Sequence, residues 1–272
     1  MAISPMREIR VRSWTELHDH LFADSWDHAL HRHRSSFAFR GVCDASLSLA
    51  CGLSRLGPRS AELEEPLLRT FRKYARRMAG VDDSIWSWMA VAQHHGLPTR
   101  LLDWTFSPYV ALHFMTENAE RFDRDGTVWM VDYVKVKHEL PDRLRTILDE
   151  EEASVFTAEM IGRAVTSLRE LDALDGEFLV FLEPASLDDR IVNQYALFSL
   201  MPRADCGSLE RWLGAKRDLA RKIVVPAALK WEVRDKLDQA NVTERVLYPG
   251  LDGLTRWLAR YYTPREGPPR GR

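Results

Sequence analysis

Apolar residues near the start of the chain recur at the spacing of a helix. Trp14 and Leu17 share one face of a predicted helix over residues 14–22, for which Ser13 or Thr15 supplies the N-cap. The same periodicity predicts three further helices, and the last of them has a proline in its first turn. These helices span residues 62–78, 84–95 and 107–115.

Strand-like segments are distributed among the helices. Residues 36–41 alternate and then stop at Gly41, which predicts a strand that carries Arg40 at its end. Because strands and helices are mixed without a regular βαβ alternation, the sequence predicts an α+β fold: a single domain with a mixed central sheet, split into short strands, and several packed helices. The other β-rich runs are 127–134, 177–182, 196–200 and 222–225, and the other helical stretches are 142–149, 157–171, 186–193, 227–240 and 251–262.

Composition narrows the class of protein. The chain has 272 residues, of which 45% are hydrophobic and 29% are charged, as in globular proteins with a conventional core. The net charge of −2 argues against a molecule that coats nucleic acid or an acidic membrane. No apolar run approaches the ~18 residues of a membrane span, and the N-terminus lacks the apolar core of a signal peptide. We therefore expect no membrane partner.

The cysteines and the C-terminal residues give two more expectations. Cys43, Cys51 and Cys206 are an odd number without CxxC spacing. This pattern favours a reducing compartment, and hence a cytoplasmic protein, over a disulfide framework or a cysteine-rich zinc site. Proline, glycine and arginine dominate residues 263–272, so we expect a disordered tail after a single domain that spans residues 1–262.

The densest polar signal lies between two apolar helical stretches, in a segment that we interpret as one loop, residues 93–107. A loop held between rigid elements is a common place for binding chemistry. The structural alternative is that Arg100 and Asp103 form an ion pair that ties the loop down. The polar, ionisable and aromatic residues of the segment are Gln93, His94, His95, Thr99, Arg100, Asp103, Trp104, Thr105 and Ser107.

Residues outside this segment are further candidates for ligand binding. The planar guanidinium group of Arg40 suits a phosphate or a carboxylate. Arg190 and Gln194 lie one helical turn apart, where a predicted helix runs into a strand. The structural alternatives are a salt bridge for Arg40 and a helix end capped by its own side chains for the other two.

Several familiar motifs are missing from the sequence. The chain has no GxxxxGK[ST] loop, no GxGxxG after a strand and no GxSxG elbow. His94 and His95 are adjacent rather than spaced as in HExxH, and His31 and His33 are not accompanied by a carboxylate or cysteine at the spacing that zinc sites use, so we expect no metal. Because adjacent residues at a helix end diverge, we expect only His94 of the first pair to face a cleft.

Three segments together resemble the FRG-domain family. Phe39-Arg40-Gly41 resembles the motif that gives the family its name. The stretch QHHGLPTRLLDWT at 93–105, with the SP and VAL that follow, resembles the longest motif, although His95 stands where the family usually has tyrosine. Arg190, Gln194 and Phe198 resemble a third block, and the LYPGLDG stretch at 247–253 resembles a closing element. The resemblance covers about residues 13–260.

The order of these motifs is also similar, more distantly, to that of ADP-ribosyltransferases. This resemblance implies an ADP-ribosyltransferase-like core and NAD as the substrate. Arg40 would bind the pyrophosphate, while Trp104 and His94 would line the nicotinamide and ribose pocket. Two departures matter: Asp103-Trp104-Thr105 stands where these enzymes have Ser-Thr-Ser, and Gln194 lies near the place of their glutamate. Either Asp103 or Gln194 would then orient the ribose.

On this interpretation the site residues fall into two sets. The catalytic candidates are Arg40, Asp103, Gln194 and His94. The candidates for binding the cofactor are Arg40, Gly41, Gln93, Thr99, Arg100, Trp104, Thr105, Ser107 and Arg190. The resemblance implies a role in toxin or anti-phage defence and leaves the acceptor open, as a protein or a nucleic acid.

Two alternatives remain at the level of sequence. A non-catalytic module would bind a nucleotide or a nucleic acid in the same cleft without turnover, and the missing glutamate favours it. A hydrolase or nuclease would use His94, His95 and Asp103 in acid–base chemistry. The sequence leaves the oligomeric state open.

Overall fold

A computed structural model of the protein describes residues 7–77, 80, 82–186, 188–203, 208–216 and 218–264. Strands and helices are mixed in this part of the chain, which confirms the α+β prediction. The strands are β1 (Arg7–Arg10), β2 (Trp26–Asp27), β3 (Arg32–His33), β4 (Phe37–Val42), β5 (Leu102–Thr105), β6 (Gly126–Asp132), β7 (Val180–Leu182), β8 (Ala196–Leu200) and β9 (Ala220–Val225). The α-helices are α1 (Trp14–Phe22), α2 (Ser60–Ala75), α3 (Ile85–His94), α4 (Pro108–Met115), α5 (Tyr133–Lys137), α6 (Asp142–Glu150), α7 (Ala158–Ala164), α8 (Leu168–Asp172), α9 (Asp189–Asn193), α10 (Ser208–Ala215), α11 (Lys230–Gln239), α12 (Glu244–Leu247) and α13 (Leu251–Tyr262).

Seven of these strands form one mixed sheet in the order β1-β9-β6-β4-β5-β8-β7. β1 and β9 are parallel, and the other neighbours are antiparallel. β6 lies near the middle and all of its residues are buried. Val128 and Met130 pack into one hydrophobic cluster, whereas Trp129 and Val131 pack into another. Since successive side chains of a strand point to opposite faces, apolar layers cover both faces of the sheet here.

The sheet is weakly joined between β4 and β5. β4 pairs with β6 along its whole length, from Phe37 to Val42. It pairs with β5 only through Phe39 and Thr105. Beyond that pair the two strands separate, and the residues that follow Phe39 on β4 no longer have a neighbouring strand on this side. The split opens a cleft inside the sheet.

Helix α4 lies directly against β4 beside this split. Ser107 caps the helix by accepting a hydrogen bond from the Val110 amide, and Pro108 occupies the first turn, as the sequence predicted. A Cβ atom on Gly41 would lie 1.8 Å from the carbonyl oxygen of Ala111. Glycine at position 41 therefore allows the backbone of α4 to approach the strand.

Several boundaries differ from the sequence predictions. Residues 93–107 are not one loop, because β5 lies within them. The single helix predicted over 157–171 is two helices, since Val165 is extended and Ser167 caps the second. The strand predicted over 127–134 ends at Asp132, whose side chain caps α5.

The cysteine prediction also changes. Cys51 is buried and disulfide-bonded, whereas Cys43 is a free thiol. The spacing of the cysteines therefore does not exclude a disulfide, and it no longer supports a reducing compartment. Cys206 and residues 265–272 of the expected tail lie outside the described residues. Within the described ranges, none of the helices has the length and apolar character needed to cross a membrane.

Candidate functional site

A cleft of about 930 Å³ opens where β4 and β5 separate. Its walls come from β4, from the 3₁₀ helix Leu53–Leu56, from the end of α3 and the chain that leads to β5, and from α9 with β8. The volume lies in the usual range for small-molecule sites. Its lining residues include Arg40, Gly41, Arg55, Gln93, His94, His95, Asp103, Trp104, Glu117, Arg190 and Gln194.

Arg40 bridges the two separated strands. Its Nη1 donates a hydrogen bond to the backbone oxygen of Asp103 at 2.5 Å and lies 4.0 Å from the Asp103 carboxylate. Its Nε is buried and has no hydrogen-bond partner among the residues that the structure describes. Burial lowers the pKa of Arg40, the Asp103 carboxylate opposes this effect, and the nearby charge of Arg55 lowers the pKa further. A strong donor is thus held in the cleft and is only partly satisfied.

Asp103 is held from the opposite side by an amide. Gln93 Nε2 donates to both carboxylate oxygens of Asp103 at 3.0 Å, and Thr99 Oγ1 donates to Gln93 Oε1 at 2.7 Å. The Thr99 hydroxyl thus fixes which way the Gln93 amide points. The Asp103 side chain remains 56% exposed, so its carboxylate can accept further hydrogen bonds from a ligand.

His94 is paired with an acid across the cleft wall. Its Nε2 lies 2.6 Å from Asp188 Oδ2. The pKa of Asp188 is lowered: burial raises it, but hydrogen bonds from the Ile191 amide and from His94 outweigh the burial. His95 also lines the cleft, with its ring 5.1 Å from that of His94. The prediction that only one of these histidines faces the cleft was therefore wrong, because the first lies in the last turn of α3 and the second just beyond it.

Arg190 and Gln194 come from α9 and from the residue that follows it. The Arg190 guanidinium lies over the Tyr248 ring at 5.1 Å. Its Nε is buried and has no hydrogen-bond partner within the described part of the chain. Gln194 Nε2 donates to the Leu247 backbone oxygen, and no hydrogen bond to Gln194 Oε1 is found among the described residues. Tyr248 in turn donates its hydroxyl hydrogen to Glu117 at 2.8 Å. The segment around α12 therefore positions this end of the cleft.

Arg100 does not line the cleft, contrary to its prediction as a ligand-binding residue. It is only 4% exposed and forms ion pairs with Glu64 at 2.6 Å and Asp172 at 2.5 Å. The structural alternative, an ion pair with Asp103, is also not the arrangement found among the described residues. Arg100 lies just before strand β5, and its side chain reaches Glu64 of α2 and Asp172 of α8.

Three other predicted residues have structural partners and do not line the cleft. Thr99 orients Gln93, Thr105 Oγ1 donates to the Gln194 backbone oxygen, and Ser107 caps α4. Trp104 does line the cleft, although its indole nitrogen donates to Ser199 and its side chain is almost fully buried. Gly41 lines it too, beside its close contact with α4.

Sequence reasoning missed two charged residues of the cleft, Arg55 and Glu117. Neither lies in a motif, and Arg55 reaches the site only because its 3₁₀ helix packs beside the chain that leads to β5. The local sequence signal for this short helix is weak: it consists of Leu53 and Leu56, which flank Ser54 and Arg55. Among the residues that the structure describes, no group of three or more His, Cys, Asp or Glu side chains could hold a metal ion.

Comparison with known proteins gives one match. The family model of the FRG domain matches residues 35–124. The match includes Arg40, Arg55 and Asp103 and ends before Arg190 and Gln194. No curated protein and no solved structure matches the chain.

Proposed function

Because this chain is an FRG-domain protein whose FRG segment forms most of an arginine-lined cleft, we propose that it binds NAD or a related nucleotide there and transfers the ADP-ribosyl group to an acceptor. The observation that supports this proposal most directly is the set of cationic side chains on a single cleft. Arg40, Arg55 and Arg190 all line it. Guanidinium groups suit phosphate oxygens, and a nucleotide of this size fits the volume.

The proposed reaction breaks the bond between C1′ of the ribose and the nicotinamide nitrogen. Nicotinamide leaves with the bonding electron pair, the acceptor oxygen or nitrogen attacks C1′, and the acceptor proton is lost. Asp103 offers the carboxylate that would stabilise the positive charge on the ribose, and Gln93 holds that carboxylate in place. Gln194 Oε1 would accept a hydrogen bond from a ribose hydroxyl. His94, paired with Asp188, is the candidate base for the acceptor proton.

Two measurements on purified protein test this proposal: NAD affinity by calorimetry and release of nicotinamide. We expect Arg40→Ala to weaken NAD binding at least tenfold, because a charge-assisted contact is lost. We expect Asp103→Asn to bind NAD but to release nicotinamide about a hundredfold more slowly, if the charge supplies ~3 kcal/mol to the transition state. Arg211→Ala removes an exposed arginine that pairs with Glu177 away from the cleft, and it serves as the control.

The outcomes separate the candidate functions. Binding without nicotinamide release would favour the non-catalytic module. No binding at millimolar NAD, by protein shown to be folded, would reject the dinucleotide.

A second candidate function rests on the pair formed by His94 and Asp188 at 2.6 Å. A histidine oriented by a carboxylate is a common general base, so the same cleft is also suited to hydrolysis of a phosphate ester or anhydride. This function predicts that His94→Gln abolishes cleavage of a nucleotide or nucleic acid while Asp103→Asn does not. The transferase function predicts the larger loss for Asp103→Asn.

A further inference from the structure

Arg55 lies on a short 3₁₀ helix that is fixed to the cleft wall. Leu53, at the start of that helix, is fully buried, and its amide donates to the Thr99 backbone oxygen at 3.0 Å. A Cβ on Gly52 would lie 3.3 Å from Pro98 Cα and 3.6 Å from Arg55 Nη2. The Arg55 guanidinium therefore lies back over its own helix, next to the chain that carries the predicted binding segment. Its position is set by anchored backbone and not by a mobile loop.

Arg40 and Arg55 thus bring two positive charges to the lining of the same cleft. Arg55 is close enough that its charge lowers the pKa of Arg40, in addition to the larger effect of burial. Arg55 forms no ion pair in the described part of the chain, and Arg40 has only the Asp103 carboxylate, at 4.0 Å. Like charges in a partly desolvated cleft repel, and one distant carboxylate does not neutralise two guanidinium groups.

We infer that Arg55 and Arg40 together form the subsite for a phosphate group that carries two or more negative charges, such as the diphosphate of a nucleoside diphosphate or of its sugar conjugate. A multiply charged anion between the two groups would remove their mutual repulsion. The guanidinium groups of Arg40 and Arg55 can donate hydrogen bonds to several oxygens of a diphosphate at once, whereas a carboxylate offers one charge and two oxygens. This inference rests on the proposed function in placing a nucleotide in the cleft, and it adds Arg55 as a residue that selects the ligand by charge.

The test measures binding of inorganic pyrophosphate, ADP, AMP and citrate by calorimetry to wild type, Arg55→Ala and Arg55→Lys. Arg59→Ala is the matched control, because Arg59 is an exposed arginine four residues further on that does not line the cleft. We expect Arg55→Ala to weaken pyrophosphate and ADP binding at least tenfold and Arg55→Lys to restore part of the loss. Arg59→Ala should change affinity less than twofold. Since Arg55 is exposed, its substitution should leave the fold intact, which circular dichroism would check.

The remaining outcomes distinguish this inference from the proposed function. The inference would be overturned if wild type and Arg55→Ala bound pyrophosphate with equal affinity. It would also be overturned if wild type did not bind pyrophosphate at about 10 mM, a concentration that would detect even a very weak complex. Citrate bound as tightly as pyrophosphate would overturn the choice of phosphate over carboxylate. If NAD releases nicotinamide at the same rate in wild type and Arg55→Ala, the proposed function stands and this inference fails. If pyrophosphate and ADP bind through Arg55 but NAD is not consumed, the subsite stands and the transferase function fails.

Discussion

Arg40 and Gly41 are adjacent in the sequence, but they act in different parts of the structure. Arg40 reaches across the split in the sheet to Asp103. Gly41 lies under α4, where its lack of a side chain lets the helix backbone come close. The family motif therefore combines one residue that serves the cleft with one that serves the packing beside it.

The contact at Gly41 predicts a large stability effect. In Gly41→Ala the new Cβ would lie 1.8 Å from the Ala111 oxygen and 2.7 Å from the Met115 nitrogen, both of them backbone atoms that cannot rotate away. We expect a loss of about 3 kcal/mol or more in the free energy of unfolding, measured by urea denaturation. Gly214→Ala is the control, because Gly214 lies in α10 with nothing within 4 Å of its would-be Cβ. It should be neutral or slightly stabilising.

A second residue-scale effect comes from a buried histidine. His113 is fully buried, and its Nδ1 accepts a hydrogen bond from Arg234 at 2.9 Å. Burial, together with the charge of Arg234, lowers the pKa of His113 to about 3. The folded protein therefore keeps this ring neutral down to about pH 3, whereas an unfolded chain takes up a proton near pH 6.5.

The direction of the resulting pH dependence follows from proton uptake. Below pH 6.5 the unfolded state binds one more proton at His113 than the folded state, so stability falls as the pH falls towards 3. The contribution is about 1.4 kcal/mol per pH unit. We expect His113→Gln, whose amide oxygen can accept from Arg234, to reduce the loss of stability between pH 6.5 and pH 5 in urea titrations. His95→Gln should leave that loss unchanged, because His95 is exposed. An equal slope in the wild type and His113→Gln would contradict this account.

At the scale of the elements, one buried ion pair connects segments distant in sequence. Arg100, just before β5, pairs with Glu64 of α2 and with Asp172 of α8. The Glu64 side chain is only 2% exposed, and it also accepts a hydrogen bond from the Arg100 amide. These contacts fix the start of β5, and therefore the position of Asp103 in the cleft.

Removing one partner of this pair should be costly. Glu64→Gln keeps the size of the side chain but removes the negative charge of the buried carboxylate that pairs with Arg100 at 2.6 Å. We expect a loss of about 3 kcal/mol in the free energy of unfolding, because the buried Arg100 charge loses the carboxylate that is buried with it. Glu65→Gln removes the neighbouring carboxylate, which pairs with the exposed Arg169 on the surface, and should leave stability nearly unchanged. If the two variants lost similar amounts of unfolding free energy, the buried pair would not contribute more to stability than the surface pair, and the prediction would be wrong.

At the scale of the whole molecule, the segment that matches the FRG family supplies only two strands of the seven-stranded sheet. Residues 35–124 contain β4 and β5, which pair with each other through one position only. The strand that pairs with all of β4 is β6, which begins at Gly126. β8, which pairs with all of β5, follows much later in the chain. The cleft therefore depends on strands outside the matched segment.

This arrangement predicts that residues 35–124 alone do not fold. Without β6 and β8, the buried faces of β4 and β5 would have no partners, and the cost in chain entropy would exceed the remaining burial. We expect the fragment to show poor dispersion of amide signals in NMR spectra and no cooperative urea transition. A fragment of residues 7–264 should show both features of a folded protein. A cooperative transition in the shorter fragment would refute the prediction.

The sequence by itself determined the local structure with some accuracy. The helices that begin at Trp14 and at Pro108 and the strand at Ala196–Leu200 were predicted closely, because periodicity, caps and proline act within a few residues. The motifs around Arg40 and Asp103 also singled out residues that do line one cleft. These signals are local and need no knowledge of distant contacts.

The tertiary structure alone decided which polar residues face the cleft. Arg100 and Asp103 lie three residues apart, yet one is buried in an ion pair and the other is exposed to the cleft. The partners responsible, Glu64 and Asp172, are 36 and 72 residues away from Arg100. Arg55 enters the cleft for the same kind of reason, because the backbone just before it, at Gly52 and Leu53, packs against Pro98 and Thr99. Long-range strand pairing and packing determine where a side chain points. The local pattern of hydrophobic and polar residues does not reveal these contacts.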